Sequence, residues 1–187
     1  MKNKSKNIIS SVIKNGYYSN HGPLAQELEK YLETKFKMNC VTYASIELLI
    51  VAIWDELSIS QFTFYNSVDQ RFVYQLIKFL RGLETAQIFT NCSQIVSKKM
   101  VNDIKTKHLK ILCEAQTTEG KLVKVVDLSR PADHYWVNGA AAVSFDDVAL
   151  EKLRWSRSSY GRQADAIINI AANGRFSELQ ASAILDD

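Results

Sequence analysis

Three stretches of the chain carry side chains able to do chemistry. Tyr43-Ala44-Ser45 lies where a β-prone run feeds an apolar helix. A turn of that kind aims backbone N–H groups and a hydroxyl at one point, which suits an anion such as a phosphate. The plainer account of Ser45 is an N-cap, and both stay open. Asp133-His134-Tyr135-Trp136 sets a carboxylate beside an imidazole shortly before Gly139, a pairing that supports general acid–base work. Adjacent residues on a strand point to opposite faces, however, which favours a loop decoration. Arg154, Arg157 and Arg162 alternate with Trp155 and Tyr160. They could grip a phosphate or a base ring, or form a basic solvated helix end favoured by the macrodipole. His21 and His108 stand alone, without the spacing of a metal-ligand pair. Nucleophile elbow, Walker loop and dinucleotide Gly-rich fingerprint are absent.

The elements that must position these residues follow from periodicity and capping. Gly22-Pro23 followed by Leu24, Leu28, Leu32 and Phe36 predicts an amphipathic helix over 23–37 with proline at its start. Residues 40–43 read as a strand and 46–54 as a buried helix. Ser67-Val68-Asp69-Gln70 has capping-box spacing, opening a helix that Gly82 stops. Residues 86–90 read as a strand, 95–104 as a helix and 109–113 as a strand. Residues 121–126 and 140–145 are β-prone, Asp146 or Asp147 caps a helix to about Ser158, and a last helix starts near Ser177. Strands alternating with helices imply an α/β domain with a mainly parallel sheet flanked by helices. With neither internal repeat nor low-complexity linker, residues 1–187 read as a single domain.

Composition narrows the classes. The chain has 187 residues, 47% hydrophobic and 23% charged, the balance of a globular protein with a real core. The longest apolar run, Leu48 to Trp54, is too short to cross a bilayer. No apolar signal region follows the basic start, which argues against secretion. The 3 cysteines, Cys40, Cys92 and Cys113, are odd in number and set among apolar residues, so they read as buried thiols of a reducing, cytoplasmic compartment. A net charge of +3 gives no case for nucleic acid.

Read in order, these features resemble the DegT/DnrJ/EryC1/StrS family of nucleotide-sugar aminotransferases, dimeric pyridoxal-phosphate enzymes of fold type I that serve amino-sugar and polysaccharide biosynthesis. Gly22-Pro23 through Glu29 looks like the family's N-terminal "GP…E" segment, and Cys40 to Ser45 like its strand–turn–helix that holds the cofactor phosphate. Phe62-Thr63-Phe64 is similar to its "FTF", whose last aromatic stacks on the pyridine ring. Asn138-Gly139-Ala140-Ala141-Ala142-Val143 stands where the family has "GEGGAV". Asn173-Gly174-Arg175-Phe176-Ser177-Glu178-Leu179-Gln180-Ala181 resembles the signature "N-x-R-x-S-E-L-Q-A", whose Asn reaches the cofactor phosphate across the dimer. The resemblance therefore implies cofactor contacts at Ala44, Ser45, Phe64 and Asn173.

The departures qualify what the resemblance implies. The family's Schiff-base lysine lies five residues before the first Gly of "GEGGAV", and that count lands on Asp133. A carboxylate makes no imine with an aldehyde. Pro131-Ala132-Asp133-His134 is similar to the "PAHH" of the deoxysugar 3-dehydratase branch, leaving His134 as the remaining candidate base. The partner of the pyridine nitrogen falls to Glu114. The chain looks shortened, with Ser58 to Gln61 bridging a gap where the family inserts a strand, a further strand and helix missing between Ile104 and Glu114, and the small C-terminal domain absent. The resemblance thus implies a shortened large domain of a fold type I transferase, a lysine-less pseudoenzyme. Pyridoxal phosphate would bind non-covalently at most, and the chain would act as a nucleotide-sugar binding or partner subunit. Its partner would be a second copy of itself or a longer homologue. The alternative is an active aminotransferase or 3-dehydratase-like enzyme completed by another chain.

Overall fold

The computed structural model describes residues 10, 12–14, 16–17, 21–64, 109–132, 135–157 and 174–185, with backbone alone over 130–132 and 135–136. The expected elements at 67–82, 86–90 and 95–104, together with Cys92, Asp133, His134, Arg162 and Asn173, lie outside these residues. Four helices, α1 (Pro23–Phe36), α2 (Ile46–Glu56), α3 (Asp147–Ser156) and α4 (Glu178–Leu185), accompany seven strands. The strands are β1 (Asn39–Tyr43), β2 (Ile59–Phe64), β3 (Lys110–Thr117), β4 (Leu122–Asp127), β5 (Arg130–Ala132), β6 (Tyr135–Val137) and β7 (Ala140–Ser144). None of these helices is long and apolar enough to cross a membrane.

Five strands form one sheet in the order β1-β7-β4-β3-β2, and every neighbouring pair is antiparallel. The parallel sheet read from the sequence is therefore corrected. Its physical source lies in the connections, since parallel neighbours need a long crossover and antiparallel ones only a tight turn. β3 and β4 are joined by the turn Thr118-Glu119-Gly120, where Gly120 takes φ +82° and the Thr117 N–H donates to the Lys121 carbonyl. β4 reaches β7 through the small β5–β6 hairpin, without a helix. Among the described residues, the one strand–helix–strand unit, β1-α2-β2, does keep its strands in the same direction. Three antiparallel strands stand between them, so β1 and β2 are the two edges of the described sheet. β2 also corrects the expectation that Ser58 to Gln61 merely bridge a gap. A bulge between Ile59 and Gln61 breaks the period-2 pattern that would have announced it.

Both faces of the sheet are covered. On one, α2 and α3 pack on Val41, Tyr43, Phe62, Phe64, Val123, Val125 and Ala142. On the other, α1 and α4 pack with Phe176 on Cys40, Val126, Ala141 and Val143. Phe176 and Ile184 are buried there, while Leu179 is exposed. Gly139 makes room for Phe176, because a Cβ at that position would lie 2.5 Å from the ring.

The start of α1 is completed from the far end of the chain. Gly22 offers no side-chain cap. The fully buried Glu178 carboxylate instead accepts from the Leu24 N–H at 2.9 Å and the Ala25 N–H at 3.0 Å. Glu178→Ala leaves two buried amides unpaired and is expected to cost about 2–4 kcal/mol. Glu178→Gln keeps one acceptor oxygen and should cost less. Urea unfolding of the two variants checks the order.

Candidate functional site

The candidate site is the open edge of β1 and the turn that follows it. An edge strand presents alternate N–H and C=O groups with no strand to receive them. Along β1 these outward groups belong to Cys40, Thr42 and, past the strand, Ala44. Side chains answer the first two. Glu33 and Glu29, one helical turn apart on α1, accept from the Cys40 N–H (3.3 Å) and the Thr42 N–H (2.8 Å). Arg154 and Arg157, three residues apart at the end of α3, donate to the Cys40 carbonyl (3.3 Å) and the Thr42 carbonyl (3.4 Å). At Ala44 the last segment takes over. Its N–H donates to the Gly174 carbonyl at 2.9 Å, and its carbonyl accepts from Gln180 Nε2 at 3.1 Å. Gln180 Nε2 also reaches the Asn138 carbonyl at 2.6 Å, while its Oε1 accepts from the Ser177 N–H and hydroxyl.

At the middle of this edge lies a buried charged cluster. Glu29 Oε1 accepts from the Thr42 N–H, the Thr42 hydroxyl at 2.9 Å and Arg157 Nη1 at 2.8 Å. Arg157 Nη2 lies 2.8 Å from His21 Nε2, and that nitrogen is 3.6 Å from Glu29 Oε2. Guanidinium nitrogens only donate, so His21 Nε2 must accept and its proton sits on Nδ1. Nδ1 has no partner among the described residues. Burial, seconded by the Arg157 charge, holds the His21 pKa below its ordinary value against the opposing pull of Glu29. Burial, with Glu29 and Glu33 adding to it, pushes the Cys40 thiol well up, so this cysteine is an inert neutral thiol. Cys40 and Cys113 are both buried, as the sequence implied.

The residues singled out from the sequence are only partly brought together. Ser45 caps α2, its hydroxyl accepting from the Leu48 N–H at 3.2 Å. The Ala44 amide is held by Gly174 instead of facing an anion, and Glu47 puts a carboxylate in the first turn of α2. Phe64 sits at the end of β2, in register with Val41 through Cys113, Val125 and Ala142. Four strand spacings separate it from β1, about 19 Å along the sheet, and its ring stacks on Phe62. Glu114 lies on β3 and pairs across the strands with Lys124 at 3.6 Å. Among the described residues, then, no cradle for pyridoxal phosphate is assembled at this turn. Arg157 turns inward to the cluster, neither gripping a ligand nor ending a solvated helix. The sequence reading passed over Glu33 and gave no role to Glu29, His21 or Gln180. The available signal was the Glu29/Glu33 spacing of four residues, which aligns two carboxylates on one side of a helix.

A shallow pocket of about 80 Å³ lies at the other end of the sheet, between the β3–β4 turn and the start of α3. Asp146 caps α3 there by accepting from the Val148 and Ala149 N–H groups. The same carboxylate and Glu119 hold Lys121, whose pKa they raise.

The described residues thus form an α/β fold in which an antiparallel sheet carries helices on both faces and the last segment folds onto the β1–α2 turn. The chain is similar to a DegT DnrJ EryC1 StrS aminotransferase from Brucella abortus, with 16% identity and a TM-score of 0.56 over 98% of this chain. It spans 62% of the length of that protein. At this identity the likeness is one of fold, and at that level the resemblance read from the motifs is borne out. No family model matches the sequence, and no curated protein matches it.

Removing one partner of the buried cluster tests its weight. Glu29→Ala strands Arg157 and the Thr42 amide, and is expected to cost about 3–5 kcal/mol. The double variant Glu29→Leu/Arg157→Met should cost clearly less than the sum of its single changes, as residues in one network do. Chemical denaturation of the three variants reads this directly.

Proposed function

We propose that the chain is a non-catalytic relative of the nucleotide-sugar aminotransferases, working as a binding or partner subunit in amino-sugar or polysaccharide synthesis. The observation that carries this reading is the Gly174 carbonyl on the Ala44 amide. One of the groups that the resemblance assigns to a cofactor phosphate, the Ala44 amide, is thus already taken by the chain itself. The absence of a lysine at position 133 supports the same conclusion, since an aspartate supplies no amine for an imine. On this reading pyridoxal phosphate binds non-covalently at most, and a nucleotide sugar is the ligand to seek. The single α/β domain of this chain would pair with a second copy or with a longer homologue. With Phe176 and Ile184 turned inward, that assembly rests on the resemblance and not on an exposed apolar stripe.

Mixing the purified protein with pyridoxal phosphate and then borohydride should give no imine absorbance and no mass adduct. A stable adduct on Lys121 or Lys124 would overturn the reading. Neither is poised for it, as Lys121 is held by Asp146 and Glu119 and Lys124 by Glu114. Light scattering at micromolar concentration should show a dimer, alone or with the longer homologue. A monomer under both conditions removes the partner role.

A further inference from the structure

The last segment crosses the β1–α2 turn as a strap, and two of its backbone fixings fall on His21 and Arg157. The Gly174 N–H donates to the Arg157 carbonyl at 2.7 Å, and the His21 N–H donates to the Phe176 carbonyl at 2.7 Å. Between those two points the Gly174 carbonyl holds the Ala44 amide. The residues that anchor the strap, His21 and Arg157, are thus the same two whose side chains meet at 2.8 Å. That contact exists only while His21 is neutral, because its Nε2 must offer a lone pair to a group that can only donate.

The geometry points to an acid-released strap: protonation of His21 breaks its contact with Arg157 and loosens residues 174 and 175 from the β1–α2 turn, while Phe176 stays packed in the core. A proton bound at Nε2 turns the acceptor into a donor facing another donor, and sets two cations at hydrogen-bond distance. The imidazolium is then drawn to Glu29 Oε2, 3.6 Å away, where it competes with Arg157 for the same carboxylate. Among the described residues, the charged groups facing His21 are Glu29 from α1, Arg157 from the end of α3, and Arg175 and Glu178 from the strap and α4. The two arginines oppose the imidazolium and the two glutamates favour it, while burial opposes it. With the folded-state pKa depressed, the latched form binds fewer protons than the opened one. Its advantage is complete above the ordinary pKa of 6.5 and is lost as pH falls below it. Release uncovers the Ala44 amide at the start of α2. The inference stands whether or not the chain binds cofactor.

Amide hydrogen exchange on the full chain, corrected for intrinsic rates, tests it. One pH unit below the ordinary imidazole value, exchange at Ala44 and Gly174 is expected to be faster than at pH of about 7.5, with linkage setting a ceiling of about tenfold. His21→Gln keeps an acceptor for Arg157 and takes up no proton, so its exchange at these amides should not change over that range. A parent protein with unchanged protection, or a H21Q variant with the same acid response as the parent, overturns the proposal. Should H21Q not fold, nitrogen NMR of the parent's His21 decides instead. The proton is expected on Nδ1 with titration below 6.5. A proton on Nε2, or titration at or above that value, overturns the latch.

Discussion

An edge strand whose outward groups are all answered is the constraint on which the rest of this structure depends. The carboxylates of Glu29 and Glu33, the guanidinium groups of Arg154 and Arg157, and the Gly174 carbonyl with the Gln180 amide stand where a sixth strand would have stood. Unpaired, each buried peptide group would cost on the order of 1–3 kcal/mol, so these partners fix where α1, α3 and the last segment can sit. The charged pair at the centre contributes position more than net stability, since two buried charges recover little beyond their desolvation. Their hydrogen-bonding directions are what matter. Arg157 reaches a carboxylate, a carbonyl and an imidazole at once because its donors lie in a planar fork.

The same closure separates fold from function. A strand running into a helix N-terminus is a ready anion site when its amides face solvent. Here the Ser45 hydroxyl and the Gly174 carbonyl take the Leu48 and Ala44 amides, and Glu47 supplies negative charge to the first turn of α2. Two of the amides at this turn, those of Ala44 and Leu48, are thus spent on internal contacts. Likeness of fold therefore carries less about activity than the fate of two or three backbone groups.

Much of the local structure was legible in the sequence. Pro23 after Gly22, Ser45 before an apolar run and Asp146 before Val148 each mark a helix start that the structure confirms. What escaped the reading is non-local. Gly120 marks a turn, but nothing in a single strand tells which neighbour it will pair with, and so the antiparallel order stayed hidden. The bulge in β2 erased its alternation. His21 looked isolated because Glu29 and Arg157, which give it meaning, are respectively eight and far more positions away.

The closure of β1 also sets an order of events. Residues 39–43 are made before the groups that complete their edge, which come from 154–157 and 174–180. On the ribosome, β1 must wait for most of the chain with its peptide groups presented to whatever strand passes. Contacts of such sequence separation are slow to form, and an unpaired edge is a template for association meanwhile. Variants that weaken the last segment would then show themselves first as poor recovery of soluble protein during synthesis, before any loss is measurable in the finished molecule.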